Sequence, residues 1–228
     1  MNKVFLNLGN QPLANNFKSK KVDAFYNLNL MFDNKTKLVS INKRVKKEIM
    51  FNKTYPYRSS QSFSVHNHFK NLSKLIKKKY PYKKILEIGS NDGTFAKNFN
   101  KNEITCIEPC YDVGNNLKKK GFRVFIEYFD DNLVKILNKN HNQYDLVFSA
   151  NTITHIDKIE RLFKNIKKIL SSDGVFILEE PSFLECLKKN AFDQFYNEHI
   201  YVFSTLALKN ILKKIGLKIF KVENIEIH

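Results

Sequence analysis

The sequence has no tryptophan and only three cysteines, seven glycines and five prolines in 228 residues. The cysteines, Cys106, Cys110 and Cys186, are too few and of odd number, which excludes a disulfide framework. No apolar run approaches the roughly 18 residues of a membrane span. Met1 to Leu13 has too short an apolar stretch for a signal peptide and no cleavage-like site. The expectation is a soluble, cytoplasmic chain with no membrane contact. Acidic residues are also scarce, 22 against 39 Lys and Arg, so the net charge is +17. Such an excess marks nucleic-acid binders or sites for anionic small molecules. The basic residues fall in short scattered clusters, Lys43 to Lys47, Lys77 to Lys79 and Lys118 to Lys120, and form no aromatic-laced stripe. Together with abundant Lys, Asn and Ile, this reads as AT-rich coding and solvated faces ahead of a nucleic-acid surface.

Hydrophobic residues make up 43%, enough for a sizeable core. The length suits one full domain plus a small appendage. Residues 1–42 read as a small β unit: Val4 to Leu8, Phe25 to Phe32 and Thr36 to Ile41 carry strand signals, with Asp33-Asn34-Lys35 as a turn. Residues 43–82 form a helical connector. Within it, Ser64 to Tyr80 places Val65, Phe69, Leu72, Leu75 and Ile76 at helical spacing, after an aromatic, hydroxyl-rich loop, Tyr55 to Ser60. Residues 83–228 alternate strands and helices. Strands are expected at Ile85–Ile88, Ile104–Ile107, Phe122–Ile126, Tyr144–Phe148, Val175–Leu178 and Leu217–Val222. Helices are expected at Thr94–Phe99, Val113–Lys120, Asp131–Asn138, Lys158–Leu170 and Thr205–Ile215. Near-continuous apolar strands separated by helices predict an α/β fold with a doubly wound parallel sheet.

The strongest local signal is Leu86-Glu87-Ile88-Gly89-Ser90-Asn91-Asp92-Gly93-Thr94, which follows a strand and opens a helix. Gly89 lets the backbone approach a ligand, and Gly93 permits the tight turn. The stretch is neither a P-loop nor a dinucleotide G-x-G-x-x-G. The pattern Glu87, Gly89, Asn91, Gly93 resembles the first motif of class I S-adenosylmethionine-dependent methyltransferases, a Rossmann-like fold. Glu108 ends the next strand, where a carboxylate can accept both ribose hydroxyls. Glu127-Tyr128-Phe129 ends the strand after that and could flank an adenine. The fourth strand ends at Ser149-Ala150-Asn151-Thr152, without the Asn/Asp-Pro-Pro-Tyr string that N6-adenine and glutamine N-methylation require.

Longer stretches resemble the sugar C-methyltransferases that act on nucleotide-linked 4-keto-deoxysugars. They are Asn7 to Asn15, Tyr55 to Ser60, Leu86 to Thr94, Phe148 to Ile156 and Asp193 to His199. The resemblance implies S-adenosylmethionine as cofactor, held by Glu87, Gly89, Asn91, Gly93, Glu108, Phe129 and Asn151. It implies a nucleotide-sugar substrate held by Tyr57, Ser59, Ser60 and His155. It implies His199 as the base, with Tyr196 and Glu198 orienting base and substrate. The residues alone are equally consistent with a structural hydrogen-bonding cluster at Tyr196–His199. Two departures follow. The family's zinc unit uses two C-x-x-C pairs; Asp33 and Thr36 stand where the second is expected, so no metal is expected. The family's C-terminal domain is expected to be absent after His228, leaving a sheet short of one strand. The N-terminal unit, self-association or a second polypeptide would complete it, or the chain is a degraded gene product. The rival readings are a cofactor-binding subunit or remnant that needs a partner, and a nucleic-acid methyltransferase.

Overall fold

The computed structural model describes residues 2–15, 24–52, 55–80, 82–139 and 143–225. In chain order it has β1 (Asn2–Gln11), β2 (Tyr26–Asp33), β3 (Val39–Ile41), α1 (Lys47–Met50), α2 (Phe63–Lys79) and β4 (Ile85–Ile88). Next come β5 (Ile104–Ile107), α3 (Tyr111–Lys119), β6 (Arg123–Phe125), α4 (Asp131–Lys139), β7 (Tyr144–Ala150) and α5 (Ile159–Ile169). Last are β8 (Leu170–Glu179), α6 (Phe183–Lys189), β9 (Tyr201–Val202) and α7 (Thr205–Ile215).

The contacts form two compact units: Met1–Met50 with Asn151–Phe163 and Glu179–Val222, and Phe51–Ala150 with Lys164–Leu178 and Glu223–His228. These lines differ from the expected divisions 1–42, 43–82 and 83–228. The N-terminal strands are not self-contained, because β3 pairs with β9, Val39 opposite Val202 and Ser40 opposite Tyr201.

In the second unit the sheet order is β6-β5-β4-β7-β8. β4 lies parallel to both β5 and β7, and β5 parallel to β6. Every residue of β4 and of β5 is buried, which is why these strands read as unbroken apolar runs. Phe95 stacks on Phe148 with centroids 3.8 Å apart, and Phe69 of α2 meets both rings edge-on. α2 starts where Ser62 Oγ accepts from the Val65 amide, and it buries Val65, Phe69, Ser73 and Ile76. Leu75, placed on the apolar face by spacing alone, is 64% exposed. The Thr94–Phe99 helix is reduced to a single 3-10 turn, Ala96–Asn98. β8 begins at Leu170, through the Ser171–Gly174 stretch that reads as a turn. A Cβ on Gly174 would sit 2.9 Å from the Tyr144 carbonyl oxygen, so close backbone approach explains that glycine.

The first unit carries the antiparallel sheet β1-β2-β3-β9. Its β2–β3 turn is closed by Asp33, whose Oδ1 accepts from the Lys35 amide at 2.8 Å and whose Oδ2 accepts from Thr36 Oγ1 at 3.0 Å. The positions expected to carry metal-binding thiols therefore hold each other. Among the described residues, no three His, Cys, Asp or Glu side chains gather as a metal site. Among the described residues, no helix is long and apolar enough to cross a membrane. α7 ends with Gly216 at φ +76 and a Leu217 amide bond to the Leu212 carbonyl. Leu217–Val222, expected as a sixth strand, takes no regular element. Phe220 and Val222 there are 64% and 58% exposed, so no packed surface recruits the segment into a sheet.

Candidate active site

The loop after β4 is built on backbone that side chains resist. Gly89 has φ +76 and Gly93 has φ +82, and Asn91 between them also lies in the left-handed region at +47. A Cβ on Gly93 would meet Leu117 Cδ1 at 2.5 Å. Glu108, only 4% exposed, closes the loop from the end of β5. Its Oε2 accepts from the Asn91 amide and its Oε1 from the Cys110 amide, both at 2.8 Å. Burial raises its pKa, and those amides oppose the rise. Glu87 is 4% exposed beneath the loop, and its Oε2 is buried with no partner among the described residues. Burial, then the nearby Glu108 and Asp92 carboxylates, push its pKa well above the usual value.

The Tyr57–Ser60 stretch is stapled to this loop. Ser59 is buried; its amide donates to Asn91 Oδ1 at 3.0 Å, and its Oγ lies 2.9 Å from Asp92 Oδ1 and 3.0 Å from Thr94 Oγ1. Asn91 Nδ2 donates to the Tyr57 carbonyl at 3.2 Å, and the Ser60 amide to Asp92 Oδ2 at 3.3 Å. Burial pushes the Asp92 pKa up, but the donors from Ser60, Thr94 and Ser59 outweigh it and hold it below its ordinary value. Ser59 is thus engaged with the glycine loop, whereas the Tyr57 ring is 44% exposed. Phe129 is 5% exposed. Its neighbours Glu127 and Tyr128 line an open cavity of about 290 Å³ with Pro109, Ile126, Asp130 and Asn132.

In the first unit, Tyr196, Glu198 and His199 share one turn, closed by the His199 amide on the Tyr196 carbonyl. His199 Nδ1 lies 2.9 Å from the Gln194 carbonyl, which can only accept, so Nδ1 carries the proton. Nε2 is then the lone-pair nitrogen, and the Tyr196 hydroxyl donates to it at 2.6 Å. The His155 ring centroid is 5.0 Å from that of His199, and its Nδ1 donates to the Glu198 carbonyl at 2.8 Å. Burial, and secondly His155, push the His199 pKa down to about 3. Burial lowers that of His155, against the Glu198 and Asn151 carbonyls. Glu198 is 1% exposed and its Oε2 accepts from Asn15 Nδ2 at 2.7 Å, so the Asn7–Asn15 string meets the Asp193–His199 string. Asn151, exposed and at φ +48, donates its amide to the Glu179 carbonyl at 2.8 Å.

Sequence reasoning missed two residues here. Asn197 is fully buried, and neither of its side-chain polar atoms has a partner among the described residues. Glu180 accepts from three consecutive amides, Thr152 to Thr154. Its signal was weak, an acid just past a strand's carboxyl end.

The sequence profile of the methyltransferase domain matches residues 59–222. The chain belongs to the methyltransferase domain family. It is 23% identical to the C-methyltransferase NovU of Streptomyces niveus over 98% of this chain and 55% of that protein. This methyltransferase chain thus spans about half the length of that curated relative. Among solved structures, a S-adenosylmethionine-dependent methyltransferase from Thermotoga maritima superposes with a TM-score of 0.51 at 22% identity, covering 70% of this chain and 75% of that one. The YcgJ protein from Bacillus subtilis gives 0.51 at 16%, covering 67% and 69%. These likenesses show the fold of a class I methyltransferase, whose cofactor is S-adenosylmethionine.

The residues present fit that cofactor. Glu87 Oε2 is a buried polar atom with no partner among the described residues, able to donate or accept according to its protonation. Glu108 is already oriented by two amides and retains lone pairs for a diol. Gly89 and Gly93 leave the loop backbone bare for the amino acid end. In this methyltransferase, Glu108 would hold the ribose, and the Gly89–Gly93 loop with Glu87 the methionine portion.

Proposed function

We propose that the chain is a C-methyltransferase that methylates the carbon beside a ketone in a nucleotide-activated deoxysugar. The observation that carries this reading is the single tautomer of His199. A carbon acid loses its proton only to a base that starts unprotonated and correctly aimed. The Gln194 carbonyl fixes the proton on Nδ1, which leaves the lone pair on Nε2 beside the Tyr196 hydroxyl. Burial keeps the ring neutral and also weakens it as a base, so a bound substrate has to raise its pKa for the proton transfer. A proton arriving on Nε2 creates an imidazolium, whose Nδ1–H stays on the Gln194 carbonyl. Tyr196 orients the lone pair and His155 packs on the ring. The cofactor, when bound, supplies an electrophilic methyl group on a sulfonium. The name of NovU supports carbon as the acceptor, and the +17 charge suits an anionic nucleotide-sugar.

Calorimetric titration with S-adenosylhomocysteine tests the cofactor half. Micromolar binding is expected, weakened about 100-fold in Glu108→Ala, since two hydrogen bonds to a charged acceptor are lost. Equal affinity in the variant would remove Glu108 from the site.

A partner completing the sheet is a second element of the proposal. β8 lies at the sheet's edge, and Val175 to Leu178 are each only half-buried. Another copy or a second polypeptide pairing there would cover backbone groups that an open edge exposes. A chain that is monomeric by light scattering and methylates a nucleoside-diphosphate 4-keto-deoxyhexose unaided would dispense with the partner.

A further inference from the structure

Glu180 stands just past β8 and is half-buried. Its Oε1 accepts from the amides of Thr152, Ile153 and Thr154 at 3.1, 2.7 and 3.2 Å. Three donors on one oxygen pin the turn that runs from Asn151 to His155. That turn needs pinning, because Asn151 lies at φ +48, a conformation that persists in a non-glycine residue only when its surroundings enforce it. Beyond the pinned amides, Thr154 Oγ1 donates to the Tyr201 carbonyl, and His155 Nδ1 donates to the Glu198 carbonyl at 2.8 Å. The His155 ring then lies 5.0 Å from that of His199, whose pKa it helps to lower. A run of hydrogen bonds therefore ties Glu180 to one short turn and to His155, whose ring packs beside that of the proposed base.

We propose that Glu180 is a positioning residue, whose Oε1 fixes the Asn151–His155 turn and so sets how His155 packs on His199. The proposal rests on the reading of His199 as the base. Glu180 touches neither reacting atom nor cofactor in this scheme; it acts through His155.

The carboxyl also makes the arrangement readable. Its Oε2 is buried and has no partner among the described residues, so ionisation would place charge on an oxygen with no donor. Burial, aided by Glu179 and opposed by the three amides, raises the Glu180 pKa to about 8. Among the described residues, the charged group that bears on its ionisation is Glu179 on its own segment; His155 stands on the pinned turn, against the Glu198 carbonyl and the His199 ring. When Glu180 ionises, its pull on the amides changes and the turn carries that change to both rings.

The test is nuclear magnetic resonance of the full chain with isotope-labelled histidine, followed through pH, for the native protein, Glu180→Gln and Glu180→Ala. The native signals of His155 and His199 should both inflect near pH 8. Glu180→Gln keeps an oxygen for the amides, so its neutral-pH signals should match the native ones while the inflection disappears. Glu180→Ala should displace both rings' signals at every pH. A residue that served stability alone would lower the melting temperature and leave no shared inflection. An inflection that survives in Glu180→Gln, or rings undisturbed in Glu180→Ala, would overturn the proposal. Should the alanine variant not fold, the glutamine variant decides. The readout needs no substrate, so it stays separate from the function itself. That reading falls if His199→Gln methylates a nucleoside-diphosphate 4-keto-deoxyhexose at the native rate.

Discussion

Replacing His199 by glutamine should change how stability depends on pH, by an amount the structure sets. The folded-state pKa lies at about 3, against 6.5 for the free side chain. Between those values the unfolded chain binds a proton that the folded chain refuses, so stability rises with pH through this window and is fully present above it. Each unit of difference is worth about 1.4 kcal/mol. Going from pH 7 to about pH 5 crosses roughly 1.5 units below the unfolded value, so His199 alone removes about 2 kcal/mol. Glutamine titrates nowhere in this range, yet keeps a donor for the Gln194 carbonyl and an acceptor for the Tyr196 hydroxyl. Urea unfolding at the two pH values, extrapolated linearly for both proteins, measures the difference. Carboxylates elsewhere contribute equally to both chains and cancel. The native protein should lose about 2 kcal/mol more than the variant on acidification. Parallel losses would mean that folded His199 accepts a proton freely, and the argument for a buried, single-tautomer base would fail with it.

Two further substitutions probe the glycine loop. Gly93→Ala sets a Cβ 2.5 Å from Leu117 Cδ1, on a leucine only 1% exposed, at φ +82. The backbone strain of about 1–2 kcal/mol and overpacking of about 1–3 kcal/mol should show in urea unfolding, and an unchanged midpoint would contradict both. Ser59→Ala removes a hydroxyl from Asp92 and Thr94. The Asp92 carboxyl, followed by carbon resonance, should titrate at higher pH, and stability should fall by about 1 kcal/mol; an unmoved titration would show that the Tyr57–Ser60 staple is not held this way.

The cofactor half was legible because its physics is local. β4 and β5 are buried on both faces and so must be written as apolar runs, and a loop at positive φ must be written with glycine. Glu108 was singled out by its place at a strand end, and its bonds to Asn91 and Cys110 lie within 17 residues. Local pattern misled where burial did not follow it. Leu217–Val222 has the composition of a strand, but the glycine stop of α7 delivers it to an exposed path, and it joins no sheet among the described residues. β9 is only two residues long and exists because β3 supplies its partner, so no window around Tyr201 could reveal it. The histidine cluster shows the same limit in its chemistry. Its residue types were readable, yet what each does depends on partners far along the chain. Asn15 reaches Glu198 across 183 residues, and the Glu180 amide bonds span 26 to 28. A carboxylate surrounded by water at position 180 would be an ordinary surface charge. The same carboxylate under three amides, with its other oxygen buried, has a raised pKa and a direction. Sequence gives the group, and only the tertiary contacts of Asn151–His155 decide which of the two it is.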